Sequence, residues 1–117
     1  MDASVERSEP FDLGLSIADA ESVTVSYDGS DLLVGFIDWQ GTARTVRFSD
    51  AVAFKWQRAE DVRPGEQWDG ANVVTGSGWL AEHRLQSEAG PEHRHLKLNF
   101  NAAGCLDVIC LAAAVVE

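Results

Sequence analysis

The sequence predicts an all-β protein, a mainly antiparallel sandwich or partly open barrel of six to eight strands. Apolar and polar residues alternate in several stretches, of which 23–27 and 96–100 are the clearest. A side-chain period of two places successive residues on opposite faces of a strand. Glycines such as Gly29 and Gly41 separate the stretches, and short links of this kind join antiparallel neighbours.

The first 48 residues predict a leader and four strands. At 117 residues the chain suits one domain over 1–117 with a single core. We expect residues 1–10 to form a loose leader and the alternating residues 11–17 to form a first edge strand. Further strands are expected at 22–27, 32–39 and 42–48.

The middle of the chain is harder to assign. Residues 51–57 fit a strand or a helix, and the large alternating side chains of Phe54 and Trp56 favour the strand. Residues 58–75 predict a long polar connection with several turn signals, and the sequence does not decide whether it is ordered. Another strand is expected at 77–87.

The last third predicts a closing hairpin. Residues 94–100 form the clearest strand, and the turn 101–104 leads into 105–112. This last segment is apolar on both faces except at Asp107, so we expect a central strand that is covered on both sides. The predicted core comprises Val23, Val25, Val34, Phe36, Val46, Phe48, Leu96, Leu98, Phe100, Val108 and Cys110.

The polar residues of this hairpin are expected to face solvent. Because an unpaired carboxylate in an apolar strand is costly, Asp107 should face water or pair with Arg94 or Lys97. His93 and His95 are two residues apart, which on a strand would place both rings on one face, as two metal ligands require. The chain offers no matching cysteine pair, so we expect no bound metal and no cofactor.

The closing hairpin also carries a resemblance. Residues 95–110, HLKLNFNAAGCLDVIC, resemble a recurring ending of small bacterial β proteins, and residues 44–52, RTVRFSDAV, are a second point of similarity. Some proteins of this kind are similar to immunity proteins of bacterial toxin systems, which bind and block a cognate toxin. The resemblance therefore implies a protein-binding role and assigns no functional residue.

The charge distribution indicates the kind of partner. Nine basic and nineteen acidic residues give a net charge of −10, and residues 1–31 contain eight of the acids but a single base, Arg7. This field repels phosphate, which argues against nucleic acid and anionic membranes as partners, and attracts basic proteins. The alternative is that the excess acid only keeps the protein soluble. The candidate partner-binding acids are Asp12, Asp19, Glu21, Asp28 and Asp31.

Trp68 is the sixth candidate for partner binding. Of the four tryptophans, Trp39 and Trp56 lie on alternating apolar stretches, which predicts core packing for both. Trp68 instead stands in the polar segment 65–70. It either folds back as a lid on the core or stays exposed as a binding anchor, a common role of aromatic side chains at interfaces.

Other sequence features argue against catalysis and secretion. The segment around Ser77 lacks the spacing of a nucleophile elbow, and no other catalytic motif is present, so we expect no enzyme. Cys105 and Cys110 would face opposite sides of one strand, which predicts free buried thiols and a reducing compartment. The N-terminus has no signal-peptide pattern and no apolar run approaches the roughly 20 residues of a membrane span. We expect a cytoplasmic protein.

Three functions remain open at this stage. The first is an acidic inhibitor or immunity protein that neutralises a basic protein partner. The second is a small-ligand-binding or enzymatic β domain with a pocket lined by tryptophan and histidine. The third is a structural protein that self-associates, for instance as a homodimer through exposed strand edges.

Overall fold

The computed structural model describes residues 5–59 and 61–117. Over these residues the fold is an all-β sandwich of two antiparallel sheets with one short helix and no closed barrel, which confirms the predicted class. Its nine strands exceed the expected six to eight by one. The elements are β1 (Arg7–Pro10), β2 (Glu21–Tyr27), β3 (Leu32–Ile37), β4 (Ala43–Ser49), β5 (Ala53–Gln57), β6 (Ala71–Thr75), α1 (Gly78–Leu85), β7 (Arg94–Phe100), β8 (Gly104–Cys110) and β9 (Ala112–Val115).

The strands of the two sheets are joined by short turns and by three longer connections, at 11–20, 58–70 and 76–93. Sheet A has the strand order β1-β6-β7-β8-β5, and sheet B has the order β2-β3-β4-β9. The predicted hairpins are confirmed: β2 pairs with β3, β3 with β4, and β7 with β8. Gly29 and Gly41 adopt positive φ angles of 96° and 82° in the first two turns, a conformation that glycine reaches without steric cost.

The chain passes between the sheets at residues 11–20 and again, twice, at one shared corner. β4 runs into β5 while its neighbour β9 follows directly from β8. The ladder continues through the bend, since the Leu111 N–H donates to Ser49 O at 2.9 Å and the Val52 N–H donates to Ile109 O at 3.0 Å. Asp50 makes the turn with a φ of 47°. The predicted strand at 51–57 is therefore confirmed as β5, paired with β8.

The core lies between the sheets and matches the predicted set closely. Nine of the eleven predicted residues are buried, and Val23 and Val25 are half-buried against them at the edge of sheet B. The central position of β8 is also confirmed, because six of its seven residues are buried. The prediction omitted several core residues: Leu13, Ile17, Ala20, Leu32, Ala51, Ala71 and Leu106.

The predicted edge strand at 11–17 is wrong. The Gly14 N–H donates to the Asp12 carboxylate at 2.9 Å, and Gly14 has a φ of 88°, so the chain turns where a strand would continue. The first strand is β1, which pairs with β6. The expected loose leader is therefore wrong for residues 7–10, while positions 1–4 lie outside the described residues.

The predicted strand at 77–87 is also wrong, because this segment forms helix α1. The Ser77 hydroxyl accepts a hydrogen bond from the Leu80 N–H at 3.1 Å and so caps the first turn. Trp79 and His83 then contact each other one turn apart, with ring centroids separated by 5.7 Å. The polar connection is shorter than expected, since β6 occupies its last five residues.

Within the described residues, no helix is long and apolar enough to cross a bilayer.

Candidate functional site

The face of sheet A that points away from sheet B carries a buried polar layer, which we call the outer-face cluster. Its strand residues are His95, Lys97, Asn99 and Asp107, each of which alternates with a core residue. The alternation was predicted, but the expectation that this face meets solvent is wrong. The connection before β6 and helix α1 fold over it, and the first three side chains are almost fully buried.

Glu66 fastens the covering connection to the sheet. Its side chain is 1% exposed, and it accepts hydrogen bonds from four groups: Ser8 Oγ at 2.8 Å, Arg63 N at 3.0 Å, Lys97 Nζ at 3.0 Å and Asn99 Nδ2 at 3.2 Å. Burial alone would raise the pKa of this carboxyl, but these donors together hold the pKa below its ordinary value. Glu66 is therefore a buried anion that holds the layer together.

A hydrogen-bonded chain joins helix α1 to sheet A. The Ser77 hydroxyl lies 2.7 Å from His95 Nδ1, and His95 Nε2 lies 2.6 Å from Asp107 Oδ1. If the serine donates to Nδ1, the Nε2–H donates to the carboxylate. The order of groups matches a nucleophile, base and acid, but the serine oxygen also caps α1 and is buried. We interpret this series of hydrogen bonds as an anchor that holds helix α1 on sheet A. The expected pairing of Asp107 with Arg94 or Lys97 is wrong.

A small cavity of about 220 Å³ opens beside this chain. The Trp79 ring packs edge-on against the His95 ring at 5.0 Å, and Lys55 Nζ lies 4.5 Å from the centre of the Trp79 ring. Asp107 and Lys97 lie in its wall together with further charged residues, among them Asp61 and Arg63. Aromatic rings beside charges of both signs would suit a small polar molecule.

A second groove lies at the end of the sandwich where β2 begins, and we call it the acidic groove. It measures about 430 Å³ and runs between residues 11–18 and 67–71. Its ionisable lining residues in the described chain are Asp12 and Asp69, with no Lys or Arg among them. Asp19 lies next to its lining residue Ala18 and exchanges two hydrogen bonds of 2.8 Å with Asn101. Three predicted residues, Asp12, Asp19 and Trp68, thus lie in or beside the segments that form this groove.

The other predicted acids do not join this groove. Glu21 and Asp28 flank opposite ends of β2, which spans roughly 20 Å at the rise of an extended chain. The backbone N–H groups of Asp31 and Ser30 donate to Asp28 and lower its pKa. Asp31 forms an ion pair with Arg47 at 3.8 Å. The predicted acidic surface is therefore divided between the two ends of sheet B.

The tryptophans differ from their predicted roles. Trp39 is 62% exposed and Trp56 is 37% exposed, so core packing is wrong for Trp39 and incomplete for Trp56. Trp39 lies in the tight turn after β3, and Trp56 lies on β5 at the open margin of the sheet, where little covers it. Trp68 is 58% exposed, which excludes the lid and leaves the anchor as a prediction.

The histidines do not form the paired geometry that the spacing suggested. His93 precedes β7 and is held by its Nδ1, which accepts from Gly90 N at 2.9 Å, and by its Nε2, which lies 3.1 Å from Asp50. His95 is held by Asp107 instead. In the chain as described, no three His, Cys, Asp or Glu side chains gather in a way that would hold a metal ion.

The cysteines are free and buried, as predicted. Burial raises the pKa of the Cys105 thiol and raises that of Cys110 to about 12. Both thiols are therefore protonated at neutral pH, which makes them poor nucleophiles.

In a third groove of the described chain, several polar lining groups already form hydrogen bonds within the protein. It measures about 710 Å³ and lies between α1 and the start of β7. The Arg84 guanidinium on its wall donates to the carbonyl oxygens of Gly90, Pro91 and His93 at 3.0–3.2 Å. Two buried polar residues also line it: Ser77 is bonded to His95, and His93 is bonded to Gly90 and Asp50.

No protein-family model, curated protein or solved structure matches this chain.

Proposed function

We propose that this chain is a non-enzymatic acidic protein that binds and neutralises a basic protein partner, as an inhibitor or immunity protein does. The observation that carries the proposal is the acidic groove, where Asp12 and Asp69 lie without a cation among the described lining residues. Its apolar walls include Phe11 and Leu15. Such a groove suits the aliphatic stem and charged end of a lysine or arginine side chain.

Two further features support this function. The net charge of −10 would steer a basic partner and make association fast and salt-sensitive. Trp68, whose ring is exposed, stands in the sequence between two groove residues, Gln67 and Asp69, and an exposed tryptophan beside a groove is a typical interface anchor. The proposal places the protein in the bacterial cytoplasm, where the free thiols stay reduced, and assigns it no nucleic-acid or membrane partner.

The experiment compares two variants that lose the same charge. The protein and the variant Asp12→Asn/Asp69→Asn are immobilised and exposed to the soluble proteins of the source cell, and the captured proteins are identified by mass spectrometry. The control Glu82→Gln/Glu92→Gln also removes two exposed acids, at positions outside the groove. The affinity of each captured protein, once purified, is then measured by calorimetry at several salt concentrations.

The proposal predicts a basic partner whose affinity falls as salt rises. The groove variant should bind at least about tenfold more weakly than the control, since one charge-assisted contact is worth roughly 1.5–3 kcal/mol. Trp68→Ala should weaken binding. Trp39→Ala should not, because Trp39 is similarly exposed but lies elsewhere. Equal binding by the groove variant and its control would contradict the proposal, as would an affinity that is indifferent to salt.

A second candidate function follows from the cavity beside His95. Trp79, His95 and Lys55 form a mixed aromatic and charged wall, which favours a small polar ligand. The test is to titrate the protein with a library of amino acids and small organic acids. Binding is monitored through the NMR signals of the Trp79 indole N–H and the His95 ring. A saturable shift at both residues would support this function, and no shift at millimolar ligand would exclude it.

A further inference from the structure

β2 is the free edge of sheet B. Sheet B begins with β2, whose partner is β3 alone, and in the described chain no main-chain hydrogen bond reaches residues 21–27 from the other side. An edge strand of this kind offers a row of N–H and C=O groups to another chain.

The other sheet edges carry the features that usually block such pairing. β1 contains two charges and Pro10, and β5 contains Lys55. β9 has only four residues, and its Val115 lies close to Gly14 in the connection between β1 and β2. β2 is the longest edge strand, with seven residues, and lacks proline and internal charge after Glu21. Its one irregularity is a bulge near Ser22, so the ladder from Thr24 to Tyr27 is regular.

The charges of β2 stand at its two ends. Asp19 and Glu21 precede the strand or begin it, and Asp28 follows it; all three are exposed. Residues 22–27 between them are uncharged. A complementary segment would therefore carry a cation at each end and none in its middle.

The face of β2 that points toward sheet A is also open. Tyr27 is 46% exposed and Phe54 on β5 is 39% exposed, and their rings contact each other with centroids 5.6 Å apart. Val25 lies half-buried on the same face. An added strand would cover these side chains with its own alternate residues, which would have to be apolar.

We infer that the basic partner docks by adding an extended segment of itself to β2, with apolar residues at alternate positions and a lysine or arginine near each end. This inference rests on the proposed function and names its binding mode. Main-chain hydrogen bonds would supply the pairing, while the terminal acids and the Tyr27–Phe54 pair would select the sequence.

A synthetic peptide tests this mode directly. The probe is acetyl-Lys-Thr-Val-Thr-Val-Thr-Lys-amide, and hydrogen exchange of the β2 amides is followed by NMR with and without it. One control peptide replaces both lysines by glutamate. Another replaces both valines by proline, which cannot complete the ladder. The variant Glu21→Gln/Asp28→Asn is compared with Glu82→Gln/Glu92→Gln, which removes equal charge elsewhere.

The inference predicts that the lysine peptide slows exchange at alternate β2 amides at least about tenfold, and that neither control peptide does. The Glu21/Asp28 variant should lose this protection, and its matched control should keep it. Peptide binding that perturbs the acidic groove without protecting β2 would overturn the inference and leave the proposed function standing. Absence of peptide binding would also overturn it, and so would β2 protection that grows with protein concentration alone, which indicates self-pairing.

Discussion

His95 Nε2 on β7 lies 2.6 Å from Asp107 Oδ1 on β8, although the residue directly opposite Asp107 in the strand register is Lys97. The carboxylate is therefore bonded diagonally to the histidine, and Lys97 is left to Glu66 and to the carbonyl oxygen of Asp61. Lys97 and Asp107 of the buried layer thus have separate partners, whereas the side-chain oxygen of Asn99 is buried without one in the described chain. This division is what allows several charged side chains to be buried on one face of a sheet.

Replacing Asp107 by alanine should destabilise the fold, because the Nε2–H of buried His95 loses its acceptor. We expect a loss of about 2 kcal/mol in the free energy of unfolding, and about half of that for Asp107→Asn, whose amide oxygen still accepts. Urea unfolding followed by fluorescence measures both, with the exposed Glu82→Ala as a control near zero. An alanine variant as stable as the parent would contradict the assigned role.

Glu66 should make stability depend on acidic pH. Its pKa is lower in the folded state than the usual 4.5, so the folded form is favoured when the carboxyl is ionised. This stabilisation is complete above the unfolded pKa and is lost as pH falls through the lower folded pKa. Glu66→Gln should cost about 3 kcal/mol at pH 7, because it removes the nearer anion of buried Lys97 and leaves only the Asp61 carboxylate, at 4.0 Å.

The pH profile separates this effect from a general loss of packing. The difference in unfolding free energy between the parent and Glu66→Gln should shrink steadily between pH 5 and the most acidic pH at which both still fold. Thermal or urea unfolding at several pH values measures this difference. A difference that stays constant over this range would show that the ionised carboxylate is not responsible.

Gly104 should not tolerate a side chain. It has a φ of 144°, and an added Cβ would meet the carbonyl oxygen of Gln57 and would lie 2.9 Å from the Trp56 ring. We expect Gly104→Ala to cost roughly 3 kcal/mol from backbone strain and overpacking together. Gly29→Ala is the matched control, since Gly29 also has a positive φ but open space around it, and should cost about 1 kcal/mol. Equal losses, measured by urea unfolding, would contradict this account.

The two thiols should be protected in the folded protein. With a pKa of about 12 for Cys110, its thiolate at pH 8 is on the order of a thousandfold scarcer than that of an ordinary cysteine. We expect a disulfide reagent to modify neither thiol on the time scale in which it modifies both in urea. Rapid labelling of one thiol in the native state, detected by mass spectrometry, would show that its strand opens.

The strands that the sequence predicted best are those whose side chains alternate between core and exterior. Residues 94–100 and the hairpins at Gly29 and Gly41 are in this class, because local turn chemistry and a period of two agree there. Helix α1 was missed because it has only eight residues, of which Leu80 alone is buried, so Ser77 as a cap was its main local signal. Residues 11–17 alternate as a strand does, but one turn at Gly14 overrides the pattern.

The buried polar layer could not be read from the sequence. The alternation of His95 and Lys97 with leucines showed that they share a face, and a solvated face is the ordinary outcome. Their burial depends on Glu66, which lies about thirty residues earlier in a segment without regular structure. The acidic groove likewise joins Asp12 to Asp69 through the tertiary fold. For Trp68 the sequence left a lid and an exposed anchor open, and its polar neighbours alone did not decide between them.

The corner at which β4 enters β5 and β8 enters β9 couples the unfolding of the two sheets. Hydrogen bonds from Leu111 to Ser49 and from Val52 to Ile109 leave no gap in the ladder there. Neither layer can separate from its neighbour without breaking pairs that belong to both. The molecule should therefore melt in one step, as a single cooperative unit rather than as two independently stable halves.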